Sequence, residues 1–349
     1  MNILIEGGDL NPPFAEGTRN IAFSYTIQLQ KHGHNVCIIT RREDIITHKF
    51  HPKKEQIYGI NFYRYSNILE LPFLLYKICK KENIDIVHTF VKGFRSRFFA
   101  FYIKTFLKKK YVLSLLGWPD HKRSIEEVRE IVYNLQKTVD KLLITSKTIF
   151  NLLKPSEELE YLPFGVDTLK FKPIFCKDKY FKVLWLRQPT LMLSMIIKNI
   201  SDLKIILLSR KNESFFQKFK NLYRCKQIKF IKGFVKMQNL YNKVDLVMDL
   251  HNPKGFLGCA SPPVSILEAM ACATPVISTK HPQIQEVILN KKTGFLIENN
   301  NLNEILHLLE NRESIDFEKI GKNARKFIEK SFSWNRLIKK YEKMYDKLM

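Results

Sequence analysis

The sequence has 349 residues, 45% of them hydrophobic and 26% charged, a balance that excludes wholesale disorder and leaves room for two cores. Its 58 Lys and Arg against 34 Asp and Glu give a formal net charge of +24. A surplus of that size favours polyanionic surroundings such as anionic lipid, nucleic acid or phosphorylated ligands, although a bias of the whole chain toward Lys, Asn, Ile and Phe also supplies lysines without a function.

The chain opens with MNILIEGG, which has no basic region ahead of its apolar run and therefore reads as a strand, not as a secretory signal. Residues 21–33, IAFSYTIQLQKHG, have helical spacing and close on a glycine; NVCIIT (35–40) is a second buried strand. A helical stretch around 70–82 leads into the strand IDIVHTF (84–90), and KYVLSLLG (110–117) and DKLLITS (140–146) repeat the pattern. Short apolar runs alternating with helices predict a doubly wound parallel sheet, whose ligands sit at the carboxyl ends of the strands. The Pro- and Gly-punctuated YLPFGVDTLKFKP (161–173) reads as a linker. After it KVLWLR (182–187), LKIILLS (203–209), IKFIKGF (228–234), VDLVMDL (244–250), PVIST (275–279) and GFLIE (294–298) predict a second α/β domain. The expected division is a first Rossmann-like domain over 1–165, a second over 174–330, and a closing helix over 334–349 that returns to the first. Two such domains facing across a cleft suit an enzyme that holds one substrate on each.

No window approaches 18 uncharged apolar residues, so no transmembrane helix is expected. The six cysteines, at 37, 79, 176, 225, 259 and 272, form no CxxC pair, and Cys37, Cys79 and Cys272 lie in apolar runs. They read as single buried thiols in a reducing, cytoplasmic compartment, and no metal cluster is expected.

The segment SPPVSILEAMA (261–271) raises a chemical question. Ser261 suits a helix cap and Pro262 a first helical turn, whose free N–H groups and positive dipole end make a seat for phosphate. Glu268, one to two turns further on, is placed to accept two hydrogen bonds from a ribose diol. A capped helix with an exposed glutamate is the plainer reading of the segment alone.

Together with the residues on its C-terminal side, this segment resembles the donor-site half of the retaining GT-B glycosyltransferases of family 4. The resemblance rests on ILEAMACATPVIST and HPQIQEVILNKKTGFLIE, on LPFGVDTLKFKP, on IKFIKGFVKMQNLYNKVDLVMDL and on the closing SFSWNRLIKKYEKMY. At the N-terminal end it rests on NILIEGGDLNPPFAEGTRN and KHGHNVCIIT. It implies that Glu268 binds the donor ribose, with Ser261, Ser265 and Ile266 beside it. The family's first acid falls at position 260, where this chain has Ala260, so Gly258 and the backbone through Cys259 to Ser261 are expected to approach the donor sugar instead. Asp249 is either a replacement carboxylate or a cap for its loop. Arg187 stands where the family places a diphosphate-binding arginine, but the five residues after it, QPTLM, lack the expected lysine, and Lys198 is a distant substitute. In the first domain the family's histidine position holds Leu116. Asp120 and His88 are the candidate catalytic residues there, and Glu16, Gly17, Thr18 and Arg19 form a candidate acceptor or phosphate loop.

The resemblance implies transfer with retention at the anomeric carbon, the departing diphosphate helping to deprotonate the acceptor on the same face. Protein groups then mainly position the partners and stabilise charge, with no cofactor beyond the nucleotide sugar and no required metal. Residues 91–110, VKGFRSRFFAFYIKTFLKKK, carry seven Lys/Arg, six aromatics and no acid. As one helix they would suit either a peripheral contact with anionic lipid, at the inner face of the cell membrane, or domain packing with a solvated basic face. No nucleic-acid module is recognised. The expected function is transfer of a sugar from a nucleotide-diphosphate donor to a glycan or lipid-linked acceptor. The alternative is a degenerate GT-B protein that binds a glycan, or serves a partner, without transfer.

Overall fold

The computed structural model describes residues 1–7, 9–12, 17–44, 48–91, 96–115, 124–174, 180–187, 191–209, 227–232, 235–251 and 261–349. The chain forms two compact units, the first built on Met1–Gly165 and Trp334–Met349, the second on most of 166–333.

The first unit holds an eight-stranded sheet of β1 (Asn2–Glu6), β2 (Asn35–Arg41), β3 (Lys54–Ile57), β4 (Ile60–Tyr65), β5 (Ile86–Val91), β6 (Lys110–Leu115), β7 (Lys141–Ile144) and β8 (Leu159–Tyr161). Their order is β3-β4-β2-β1-β5-β6-β7-β8, and all neighbours are parallel except the β3–β4 hairpin. The inner strands are apolar along their length because helices cover both faces. On one face Leu75 and Ile78 of the Leu71–Lys81 helix and Val128 and Val132 of the Ile125–Gln136 helix join the core of Leu4, Val87 and Leu113.

Alternate residues of β5 point the other way. His88 and Phe90 meet Tyr25 of the Gly17–Lys31 helix, and the C-terminal helix Trp334–Asp346 closes over them. Its buried residues Trp334, Leu337, Ile338, Tyr341 and Tyr345 recur at three- and four-residue spacing, the stripe of an amphipathic helix. Gly165 is required under it: a Cβ there would stand 2.6 Å from the Trp334 ring.

Sequence patterning misses β3, β4 and β8. β3 is KEQI, exposed or half-buried, and β4 carries Arg64 in its interior. That guanidinium is buried: its Nε donates to Asn11 Oδ1 at 2.7 Å and its Nη1 to the Pro52 carbonyl at 3.0 Å, while Nη2 forms an ion pair with Glu55 at 2.8 Å. The hairpin turns at Tyr58–Gly59, both at positive φ, the pair of left-handed residues that a two-residue hairpin needs. Residues 91–110 are also not one helix. Val91 ends β5 and Lys110 begins β6, and among the described residues 96–106 are helical, with a π turn over Tyr102–Phe106.

The second unit holds a six-stranded, wholly parallel sheet of β9 (Lys182–Trp185), β10 (Lys204–Ser209), β11 (Ile228–Lys232), β12 (Leu246–Asp249), β13 (Val276–Thr279) and β14 (Phe295–Ile297). The order is β11-β10-β9-β12-β13-β14. The chain winds out from β9 in one direction through β10 and in the other through β12, so the topological switch point lies between β9 and β12. Gly321 lets the Phe317–Ser331 helix approach the end of the Val264–Ala271 helix: a Cβ at 321 would run into the Ala273 carbonyl oxygen. Cys37, Cys79 and Cys272 are buried free thiols, as their apolar surroundings predict. Among the described residues no helix is long and apolar enough to cross a membrane.

Candidate functional site

The carboxyl ends of β9 and β12 bring Arg187, Asp249 and His251 together at the switch point of the second unit. Asp249 is the last residue of β12 and is fully buried. Its Oδ1 accepts a hydrogen bond from Arg187 Nε at 2.5 Å and its Oδ2 one from Ser265 Oγ at 2.6 Å. His251 Nε2 lies 3.4 Å from the same Oδ1, and Arg187 Nη2 lies 2.7 Å from His251 Nε2 and 3.1 Å from its Nδ1. Burial pushes the Asp249 carboxyl up, but the bond from His251, the charges of Arg187 and His251 and the bond from Ser265 outweigh it and hold the group well below its ordinary range.

The backbone around this carboxylate is tied as well. The Asp249 carbonyl accepts from Ser278 Oγ at 2.7 Å, and the His251 N–H donates to Thr279 Oγ1 at 2.8 Å. Arg187 itself remains 44% exposed. Its Nη1 has no partner among the described residues.

The helix above this cluster starts later than the sequence suggests. Pro263, not Ser261, is its N-cap, and Val264–Ala271 are its helical residues. The reason is local: Pro263 bars Pro262 from helical ψ, so no turn can form before 264. Pro263 supplies no side-chain hydrogen bond to the first turn. Ile266, Leu267, Ala269, Met270 and Ala271 are buried, which leaves Val264, Ser265 and Glu268 as the half-buried stripe. Ser265 and Glu268 are therefore neighbours on one face, one turn apart. Ile266 is wholly inside the core, so its side chain is not available to a ligand. Tyr241, buried beneath the helix, donates its hydroxyl to Glu268 Oε2 at 3.2 Å. Glu268 in turn helps to push the Cys272 thiol, raised first of all by burial, up to about 12.

In the first unit two expectations are corrected. The sequence marks His88 as a candidate catalytic residue, but it is fully buried, with Nδ1 at 2.5 Å from the Tyr345 hydroxyl and Nε2 at 2.8 Å from Ser114 Oγ. Burial pushes its imidazole down to about 3, so at neutral pH it is an uncharged core group that ties the C-terminal helix to β5 and β6. Arg19 is not at the rim of a phosphate loop, where the sequence suggests it. Its guanidinium is mostly buried and lies 2.7 Å from Asp9 and 4.0 Å from Asp44, both buried, so its charge is spent inside the unit. Gly17 and Thr18 open the Gly17–Lys31 helix. Glu16, Asp120, Gly258 and Ala260 lie outside the described residues.

Residues 201–327 match the family model described as glycosyl transferases group 1. An uncharacterized glycosyltransferase of Methanocaldococcus jannaschii is 31% identical over 90 residues, a match that spans 24% of this chain and only 22% of that relative. Among solved structures, a sucrose-phosphate synthase from Thermosynechococcus elongatus superposes with a TM-score of 0.76 at 15% identity, covering 99% of this chain and 98% of that one. Anabaena HepE in complex with UDP-glucose does so with a TM-score of 0.73 at 13% identity, over 99% and 100%. The chain therefore has the GT-B fold, and its residues 201–327 are similar to the group 1 glycosyl transferases.

Proposed function

We propose that this protein is a retaining glycosyltransferase that moves a hexosyl group from a nucleotide-diphosphate sugar to a glycan or a lipid-linked acceptor. The observation that carries the reading is the exposed guanidinium of Arg187 at the switch point of the second unit, beside a helix whose N-cap, Pro263, offers its first turn no side-chain bond. In this reading Arg187 and the first turn of that helix hold the diphosphate, and Glu268 accepts the ribose hydroxyls. The bond from the anomeric carbon to the diphosphate oxygen breaks, the acceptor oxygen bonds to that carbon on the same face, and the acceptor proton passes to the leaving phosphate. The complex of HepE with UDP-glucose supports a uridine nucleotide as the first donor to try.

Calorimetry with UDP, GDP, ADP and their glucose conjugates, with and without Mg²⁺, tests the donor assignment. Micromolar binding of one nucleotide is the expected result. No binding of any of them would leave the non-transferring reading suggested by Ala260.

The acceptor side carries a second element of the proposal, a peripheral contact with anionic membrane at the cytoplasmic face. Phe101 and Phe106 are 59% and 65% exposed, and Phe73 and Tyr76 stand out from the Leu71–Lys81 helix beside them, whose Pro72 carbonyl accepts from the Tyr102 hydroxyl. Lys77, Lys80, Lys104, Lys108 and Lys109 belong to the same two segments. Aromatic bulk with basic flanks suits a lipid interface. Co-sedimentation with phosphatidylglycerol vesicles, lost on Phe101→Ser with Phe106→Ser, is the expected result; equal recovery with pure phosphatidylcholine would refute an anionic requirement.

A further inference from the structure

Arg187 is not free to reorient. Its Nε is held by Asp249 and its Nη2 by His251, so one edge of the guanidinium is fixed from behind. The remaining edge, Nη1 with the second Nη2 proton, keeps the parallel pair of donors that a phosphate accepts bidentately. The carboxylate that does the holding is itself immobile. It ends β12, and its second oxygen takes the Ser265 hydroxyl from the first turn of the Val264–Ala271 helix. One buried side chain thus ties together the end of β9, the end of β12 and the start of that helix.

We propose that Asp249 is a positioning residue for donor binding: through Arg187, His251 and Ser265 it aims one edge of the Arg187 guanidinium at the diphosphate of a nucleotide sugar. This rests on the donor site proposed for Arg187 and Glu268. The pair is a dipole with its negative end buried and its positive end outward, so the carboxylate orients the arginine without facing the ligand. Such orientation matters more here than where two cations share the task, because QPTLM follows Arg187 and supplies no lysine. A single fork that is already aligned gives up less side-chain freedom on binding than a mobile one.

The test compares a nucleoside diphosphate with its nucleoside, using whichever of UDP, GDP or ADP the unaltered protein binds most tightly. Asp249→Asn is expected to weaken the diphosphate at least tenfold while leaving uridine, or the matching nucleoside, within about twofold. Loss of both ligands together, with a lowered Tm, would mean a structural role only and would overturn the proposal. In the cycle with Arg187→Ala, the double variant is expected to bind the diphosphate no more weakly than Arg187→Ala alone, since Asp249 acts through that side chain. Additive losses would overturn it. Arg187→Lys, at an exposed position, does not depend on a buried change being tolerated: it keeps the charge but cannot be held by both partners. Diphosphate binding as tight as in the unaltered protein would show that charge suffices and refute positioning. If the unaltered protein binds a nucleotide and Asp249→Asn binds it equally, this proposal fails and the donor assignment stands; if no nucleotide binds, both fail.

Discussion

Glu268→Ala is expected to weaken nucleotide binding about 100-fold, the loss of one or two hydrogen bonds to a charged acceptor at roughly 1.5–3 kcal/mol each. The expectation follows from the Val264–Ala271 helix, where the core takes five of eight positions and leaves Glu268 and Ser265 on the half-buried stripe. Glu268→Gln keeps the shape and one acceptor, and should fall between the two. Tyr241→Phe is the control for the neighbour, because the Tyr241 hydroxyl donates to Glu268 Oε2 and its loss alters orientation without removing the carboxylate. Calorimetry with the nucleotide and its nucleoside reads the result. If Glu268→Ala binds with unchanged affinity, the ribose is held elsewhere and the proposed donor site is wrong.

Acidification should weaken the first unit well before its carboxylates titrate. His88 is held uncharged by burial, with an imidazole pushed down to about 3 from an ordinary 6.5. Between those values the unfolded chain binds a proton that the folded chain does not, so stability rises with pH and is lost as the pH falls from about 6.5. At roughly 1.4 kcal/mol per unit, lowering the pH from 7 to 4.5 should cost about 2–3 kcal/mol through this group. The Asp249 carboxyl, held below its ordinary range, contributes stability that is present above about 4 and lost only at lower pH, so it adds little within this window. Urea unfolding of the unaltered protein and of His88→Gln at both pH values measures the difference. The variant should lose about 2 kcal/mol less on acidification. Equal losses would mean that His88 is not held neutral in the core.

How much of the fold and the site is legible in the sequence depends on the kind of signal. The parallel strands are short runs such as VCII and LVMD, buried on both faces, and each of the runs read from the sequence contains a strand. β3 and β4 escape because their stabilisation is side-chain specific: the burial of Arg64 depends on Asn11, which lies 53 residues earlier. Glu268 and Arg187 can be singled out because each sits in a local motif. The link between Arg187 and Asp249 cannot, since it exists only because β12 pairs with β9, a neighbour set by the strand order rather than by sequence distance. The same holds for His88, whose partners Ser114 and Tyr345 come from β6 and from the last helix. The helix start is misjudged for a simpler reason. Of two consecutive prolines, the second dictates the conformation of the first.

The return of Trp334–Asp346 to the first unit has a consequence for synthesis. Tyr25 and His88 are made early, yet the aromatic face that buries them is made only after the second unit. At ordinary elongation rates of about 5–20 residues per second, the stretch from Gly165 to Trp334 takes on the order of 10–30 s to emerge. Throughout that interval the nascent first unit carries an uncovered aromatic surface, so its maturation waits for translation of the whole second unit.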